Sequence, residues 1–517
     1  MSQSIHDLEN RILYDTLSAD AMSPEKPVLT ERHPILYLSL ALLFALAGYA
    51  FILIFPLFAL YTFLTVPGKI ILAQSYTDSA VIVAQIILAT FSGWIAYEFY
   101  RFKIELPGGR PLQDDEAPRL NHLITEICQE FGIKRPQRVR INKDYELQLV
   151  SSPLNGYPLM SHKTLIIGMP LIQCMTPRQF RILLYRELSH SYHTLRRPEH
   201  WVVTIRSLFL QLHQNYRQSQ NKAALISRPF FSLFNPLLDF ISQPVIALEE
   251  NHIDQFCVDR LAKDELIDAL LGYYVCRHYL THEFWIKLNN SAYMHQQPPY
   301  LPYQSIENYI RSKTDPDDIR ITLRNTLENI HSNNPQLARR LERLKIHTSQ
   351  FDSRLEQSAA EFYFENLLST LIKQFDTVWY KANQFNWQKM HQQGKDEQQR
   401  LEEYRIEAEQ GVISETNLWD YVVLLNKYYN EDKLISCYKN ILRLHCKDAR
   451  VLLNIGKTLL DYMDEDGITA LEKAMQTNPA YTLSACQTIT QYYVHCGNTR
   501  MAQNYRRKAL AYQVDAA

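Results

Sequence analysis

A five-residue stretch in the first half of the chain, Arg186-Glu187-Leu188-Ser189-His190, could carry metal chemistry. It differs at one position from H-E-x-x-H, a helix pattern in which two histidines bind Zn²⁺ and the glutamate acts as general base on the metal-bound water. Here the glutamate and the second histidine are present, and arginine replaces the first histidine. Glu187 is therefore a candidate catalytic base and His190 a candidate metal ligand, while Arg186 stands at the position of a ligand.

The residues around this stretch predict the helix that would position it. Thr176, Pro177 and Gln179 fit an N-cap, a first-turn proline and the partner of a capping box. Apolar residues then recur at helical spacing, and the helix is expected to end before Pro198. On such a helix the four-residue spacing places Arg186 and His190 on one face.

A second pair of candidate residues, Glu250 and Asp254, is also spaced by four residues and shares a helical face. Such a carboxylate pair is usually a solvated surface, but a zinc site with ligands on one helix needs a further ligand from elsewhere and carboxylates that orient the histidines. His193 could share part of the face of His190, so a site of His190, His193 and Glu250 is an alternative. His193 as a surface residue or as a neighbour of the ligands is the simpler interpretation.

Two apolar stretches predict a membrane hairpin at residues 34–100, after a polar tail at residues 1–33. Residues 35–55 alone are long enough to cross a bilayer, and so are residues 80–97. Basic residues flank the outer ends of the hairpin, at Lys26, Arg32, Arg101 and Lys103, and its loop contains only Lys69. By the positive-inside rule, the chain is expected to be a multi-pass protein of the cell (inner) membrane with its N-terminal tail and C-terminal domains in the cytoplasm.

Composition favours a mainly α fold with a small β-sheet. The chain has 517 residues, a formal net charge of −1 and only 14 glycines. A balance of charge this close to neutral does not favour nucleic acid as a partner. Strand-like patterns occur at residues 138–141, 147–150 and 164–167. The apolar residues 229–248 are interpreted as a packed helix pair broken by Pro236 and Pro244.

The C-terminal part of the chain predicts further helices. Residues 355–410 are expected to form a helical connector with a charged surface. In residues 418–513, Ile441, Ala474 and Ala509 recur at about the 34-residue period of tetratricopeptide repeats. An ordinary helical bundle is the alternative interpretation of this region.

The order of these features resembles the M48 family of membrane-associated zinc metallopeptidases. The resemblance rests on the apolar hairpin, the Arg186–His190 stretch, Glu250-x-x-x-Asp254, and Ser332-Asn333-Asn334-Pro335 followed by Arg340. It implies a zincin-like peptidase domain over residues 104–345, with Glu187 as base, His190 and Glu250 as zinc ligands, and Asp254 and His193 beside them. The C-terminal region is similar to the tetratricopeptide tails of some members.

Two departures from the family pattern decide the functional hypothesis. Arg186 replaces the first zinc ligand, and Asn334 replaces a later histidine. A guanidinium is always charged and has no lone pair for a metal, whereas a catalytic zinc site needs three protein ligands. We therefore expect a catalytically impaired, membrane-anchored homologue that binds protein or peptide partners through its cleft and helical repeats. The alternative is an active zinc metalloendopeptidase of membrane-protein quality control with a rearranged ligand set.

Charge suggests a more specific role for Arg186. A guanidinium can bond carboxylates in two places at once, so Arg186 is expected to take the place of the metal and pair with Glu187, Glu250 or both. An ordinary exposed arginine on the helix surface is the alternative. A third hypothesis, a helical adaptor unrelated to peptidases, expects that Glu187, His190 and Glu250 do not lie together.

Overall fold

The computed structural model of the chain describes residues 34–72, 75–102, 108–155, 157, 161–193, 198–218, 222–313, 319, 321–322, 355–444 and 446–515. These residues are mostly helical and contain one four-stranded sheet. The prediction of a mainly α fold with a small β-sheet is confirmed. The chain divides into two compact units, Met1–Lys287 with Tyr300–Lys381, and Leu288–Pro299 with Ala382–Ala517.

The first unit begins with two long apolar helices, and these precede a small sheet and the helices around it. Its elements are α1 (Pro34–Leu72), α2 (Tyr76–Arg101), β1 (Arg110–Leu112), α3 (Pro118–Phe131), β2 (Arg138–Asn142), β3 (Leu147–Pro153), β4 (Ser161–Gly168), α4 (Met169–Cys174), α5 (Pro177–His193), α6 (Pro198–Gln218), α7 (Lys222–Arg260), α8 (Lys263–His278), a π-helical turn (Tyr279–Phe284), α9 (Trp285–Ser291), α10 (Pro302–Arg311), α11 (Ala359–Phe364) and the start of α12 (Leu367–Glu409).

The sheet has the strand order β1-β2-β4-β3. β2 and β4 are parallel, and β3 pairs with β4 in the antiparallel sense, with Leu149 opposite Leu165. The three strands predicted from the sequence are present. β1 was missed because three residues are too few to show an alternating pattern. β3 lies at an edge of the sheet, and this edge faces the helix of the Arg186–His190 stretch.

The core of the first unit fixes the orientation of α5. Phe180, Leu184 and Leu188 recur every four residues on this helix and are fully buried. They belong to one apolar cluster with the sheet residues Leu165 and Ile167 and with residues of α3, α4, α8 and α10. Because this face of α5 is committed to the core, the adjacent face that carries Arg186 and His190 is turned towards α7.

Among the residues that the structure describes, three helices are long and apolar enough to cross a membrane: Ile35–Ile71, Tyr76–Arg101 and Ser227–Arg260. Membrane association is therefore supported, and the third helix adds to the predicted hairpin. The expectation that Pro236 and Pro244 break the 229–248 stretch is wrong, because α7 continues through both. A proline removes one helical hydrogen bond, and packing of α7 along α1 and α6 offsets that loss.

α1 is longer than one membrane crossing requires and has different neighbours along its length. Its 39 residues extend for roughly 58 Å, compared with about 30 Å for the hydrocarbon core of a bilayer. The second half of α1 contacts α2, for example where Lys69 Nζ donates to Gln85 Oε1 at 3.1 Å. The first half contacts α6 and α7 through a cluster of aromatic rings, in which Phe51 stacks on Phe230 at 3.8 Å between centroids.

A glycine allows this close approach of α1 to its neighbours. A Cβ atom added to Gly48 would lie 2.7 Å from Phe234 Cζ and 2.8 Å from Phe209 Cζ. We expect Gly48→Leu to lower the stability of the detergent-solubilised protein by about 1–3 kcal/mol, the usual cost of overpacking. Gly68→Leu, on the same helix, is the control because no atom lies within 4 Å of its added Cβ. Equal thermal midpoints for the two variants would contradict the role of Gly48.

The second unit is built mainly from helices that follow one another along the chain. It contains the end of α9 and the remainder of α12, then α13 (Glu415–Tyr428), α14 (Glu431–Arg443), α15 (Ala449–Asp461), α16 (Asp466–Thr477), a 3₁₀ turn (Pro479–Tyr481), α17 (Thr482–His495) and α18 (Thr499–Asp515). Apolar side chains from successive helices form two clusters, one around Tyr438 and Ile455 and one around Leu471 and Ile489.

Candidate functional site

The start of α5 is capped as the sequence predicts. The backbone N–H of Gln179 donates to Thr176 Oγ1 at 3.2 Å, and the backbone N–H of Thr176 donates to Gln179 Oε1 at 3.1 Å. This reciprocal pair satisfies two of the amide groups that a helix start leaves without partners. The capping box fixes the residue at which the helix begins. The helical repeat then sets the positions of Arg186, Glu187 and His190 on its surface.

Arg186 forms two ion pairs with α7. Its Nε donates to Asp254 Oδ1 at 3.0 Å, and its Nη2 contacts Glu250 Oε2. The side chain of Arg186 is 12% exposed and that of Asp254 6%. The expected pairing with Glu250 is present, and the second partner is Asp254 rather than Glu187. The two carboxylates that the family resemblance assigns to the metal and its surroundings therefore hold a guanidinium.

Arg186 stays charged in this position. Burial opposes the charge, but the negative charges of Glu250 and Asp254 favour it by more, and the pKa of Arg186 is raised well above its usual value. The guanidinium is therefore a permanent cation between α5 and α7.

Glu187 is engaged with the edge of the sheet. Its Oε1 accepts a hydrogen bond of 2.7 Å from the backbone N–H of Leu149. Leu149 lies on β3, the edge strand next to β4. Its N–H points away from β4, towards the open side of the edge strand. This is the kind of group that pairs with an added strand. The carboxylate at the position of the general base therefore occupies part of the outer edge of β3.

His190 faces two glutamates that are adjacent on α7. Its Nδ1 lies 3.0 Å from Glu249 Oε1, and its Nε2 lies 3.9 Å from Glu250 Oε1. Burial lowers the pKa of His190, but its hydrogen bond with Glu249 and the negative charge of Glu187 raise it by more, so the net shift is upward. His190 and Glu250 therefore do lie together, with Arg186 beside them, whereas the adaptor hypothesis expects them apart.

Two residues of this centre were missed by the sequence analysis. Glu249 Oε1 is also 2.5 Å from Nδ1 of His200, and the side chains of Glu249 and His200 are 4% and 1% exposed. His200 lies near the start of α6 and belongs to no recognisable spacing. Glu249 was not predicted because the four-residue spacing to Asp254 belongs to Glu250. Their proximity depends on how α6 and α7 pack, so no local pattern could have found it.

The zinc site implied by the family resemblance does not fit these residues. Its third ligand, Glu250, is bound by the guanidinium, and the first ligand position carries that same guanidinium. Of the predicted set, only His190 is not paired with the guanidinium, and catalysis needs three ligands. The structure therefore offers no three-ligand site made of the residues at positions 186, 190 and 250.

Other predicted residues can be placed only in part. The side chain of His193 and the segment from Ser332 to Arg340 lie outside the described residues. His252, next to Glu250 in sequence, is turned towards Glu199, with 4.0 Å between its Nδ1 and Oε1 of that glutamate.

Comparison of the chain with protein-family models, with curated proteins and with solved structures finds no match. The resemblance to M48 metallopeptidases therefore stays a prediction that rests on the residues named above.

Proposed function

We propose that this chain is a membrane-anchored protein-binding scaffold that keeps the helix arrangement of a zinc metallopeptidase centre without its chemistry. The observation that carries the proposal is the pair of contacts from Arg186 to Glu250 and Asp254. A metal ion at this place would join α5 to α7 and offset the negative charge of the carboxylates. An arginine held by two carboxylates has the same two effects. The ligand position that Arg186 occupies therefore offers no metal-bound water for Glu187 to activate.

The state of Glu187 supports the same proposal. A general base must reach the water that it deprotonates, but this carboxylate accepts a hydrogen bond from Leu149 on the sheet edge. Peptide binding by strand addition at β3 would compete for that same N–H group. In the scaffold, Glu187 thus acts as a link between α5 and β3.

The proposed surface for protein partners is the series of helix pairs from α13 to α18. The first helices of the pairs begin at Glu415, Ala449 and Thr482, which matches a period of about 34 residues. Helix pairs at this period, stacked side by side, resemble tetratricopeptide repeats, and repeats of this kind present extended binding surfaces.

One experiment tests both parts of the proposal. The full-length protein in detergent is incubated with Zn²⁺ and a fluorescently labelled unfolded polypeptide, and both binding and cleavage are measured. We expect the polypeptide to bind and to remain intact, because the centre contains Arg186 instead of a ligand. A chain ending at residue 410, which lacks α13–α18, is expected to lose the binding.

Glu187→Gln is the matched variant for the chemical part. It keeps the size of the side chain and removes the base, so it should leave the absence of cleavage unchanged. Zinc-dependent cleavage that Glu187→Gln abolishes would overturn the proposal in favour of an active metalloendopeptidase with a rearranged ligand set. Equal binding by the shortened chain would show that the helix pairs are not the binding surface.

A further inference from the structure

Three side chains from three different helices meet beside the Arg186 ion pairs. His190 comes from α5, His200 from α6 and Glu249 from α7, and one candidate ligand atom of each lies within 4.8 Å of the other two. The two Nδ1 atoms are 3.0 Å and 2.5 Å from the same carboxylate oxygen, Glu249 Oε1. Both histidines therefore approach the same carboxylate oxygen without any contribution from Arg186 or Glu250.

The donor atoms indicate which kind of ion would suit the cluster. Two imidazole nitrogens and one carboxylate oxygen are typical of Zn²⁺ and related transition-metal ions, whereas Mg²⁺ and Ca²⁺ prefer oxygen ligands alone. With bonds of about 2.0 Å, neighbouring donors of a tetrahedral zinc site are roughly 3.3 Å apart. An ion bound to these three donors would replace the two hydrogen bonds that Glu249 Oε1 now makes with the histidines.

The charge around the cluster also favours a cation. Arg186 carries one positive charge, whereas four carboxylates lie close to it or to His190. They are Glu187, Glu249, Glu250 and Asp254. Glu249 is 4% exposed, and in the absence of an ion its buried carboxylate is stabilised by its hydrogen bonds with His190 and His200. A divalent ion at Glu249 would offset two of these negative charges.

We propose that His190, His200 and Glu249 form a binding site for a divalent transition-metal ion such as Zn²⁺. This site differs from the one that the family resemblance implies, because it uses His200 and Glu249 and leaves Glu250 to Arg186. The ion would tie α5 to α6 and α7. Those two helices pack against α1, for example where Trp201 stacks on Tyr49. The bound metal thus connects the sheet-containing part of the first unit to its membrane helices.

The test uses the full-length protein in detergent, freed of metal with a chelator and then titrated with Co²⁺ or Zn²⁺. We expect one ion per chain after desalting, and a Co²⁺ absorption spectrum typical of four-coordinate nitrogen and oxygen ligands. Removal of a residue that only hydrogen bonds to a metal ligand typically weakens metal binding by roughly 10- to 100-fold. His200→Ala removes a proposed ligand itself and should weaken binding by more than that. No retained ion in the wild-type protein would overturn the proposal.

Two glutamate variants separate this site from the arrangement implied by the family resemblance. Glu249→Gln should lose the ion, whereas Glu250→Gln should keep it. The opposite result, loss with Glu250→Gln and retention with Glu249→Gln, would contradict the proposal. His252→Ala is the control for a histidine on α7 that faces Glu199 instead, and it should bind metal like the wild type.

The substitution at His200 could prevent folding because that side chain is buried. Glu249→Gln keeps the side-chain volume and one acceptor oxygen, so its loss of the ion tests the same site in a folded protein. Circular dichroism checks that this variant folds. The metal site does not depend on the proposed function. Cleavage of the unfolded polypeptide would overturn the proposed function, whereas failure to bind Co²⁺ or Zn²⁺ would overturn only the metal site.

Discussion

Replacing Arg186 with methionine should lower the free energy of unfolding by about 3–5 kcal/mol, because it leaves buried carboxylates without their counter-charge. Arg186 is 12% exposed, Asp254 is 6% exposed and Glu250 is 30% exposed. Methionine keeps most of the length of the side chain, so the loss would come from charge and hydrogen bonding rather than from a large cavity. The measurement is the unfolding midpoint of the detergent-solubilised protein in urea.

Arg181→Met is the matched control on the same helix. Arg181 pairs with Glu126 at 2.7 Å, but the two side chains are 51% and 42% exposed. A solvated ion pair of this kind contributes at most about 1 kcal/mol. Equal losses for the Arg181 and Arg186 variants would show that the Arg186 ion pairs are not a special feature of the fold.

A second substitution checks the cause of the expected loss. If unpaired charge destabilises the Arg186→Met protein, Asp254→Asn in that background should restore part of the lost stability. No recovery would mean that the guanidinium acts through packing instead of through its charge.

Cysteines introduced at Leu233 and Phe240 should be almost fully protected from a membrane-impermeant maleimide in lipid vesicles. These side chains are 74% and 70% exposed on the protein surface. Leu237 is 52% exposed and lies between them at helical spacing, so the three form one apolar face of α7. The opposite face of α7 packs on α1, which is itself long and apolar enough to cross a membrane. We expect the bilayer to cover the free face.

The control position is Val378, which is apolar and 65% exposed but lies on α12, outside the apolar helices. A cysteine there should be labelled completely in the same vesicles. The background protein carries Cys496→Ser, because Cys496 is exposed and would itself react. Labelling of positions 233 and 240 at the rate of position 378 would show that this face of α7 is in water.

Local patterns were sufficient for much of the fold. The capping box at Thr176 and Gln179 and the strands that contain residues 138–141 and 147–150 follow from interactions between residues close in sequence. The length of apolar sequence likewise marks helices that could cross a membrane. Where such reasoning was wrong, as for the prolines of α7, packing against α1 and α6 offset the local preference.

The candidate centre shows a clearer limit. The four-residue spacing put Arg186 with His190, and Glu250 with Asp254, on helical faces. Charge predicted that Arg186 would pair with Glu187, Glu250 or both, and Glu250 is a partner. His200 and Glu249 gave no signal, because their relation to His190 depends on the packing of α5, α6 and α7. Glu187 is another example, since its partner Leu149 is brought close only by the position of the edge strand.

The sequence by itself therefore determined three of the four strands, the capped helix α5, the apolar segments and the presence of a cation where a metal ligand was expected. These features depend on hydrophobic periodicity, capping and charge within a few turns of the chain. The tertiary structure alone decided that Asp254 is the second partner of Arg186, that Glu187 bonds to β3, and that His190, His200 and Glu249 converge. The physical reason is that contacts between side chains distant in sequence are set by how whole helices pack, and no residue spacing encodes that packing.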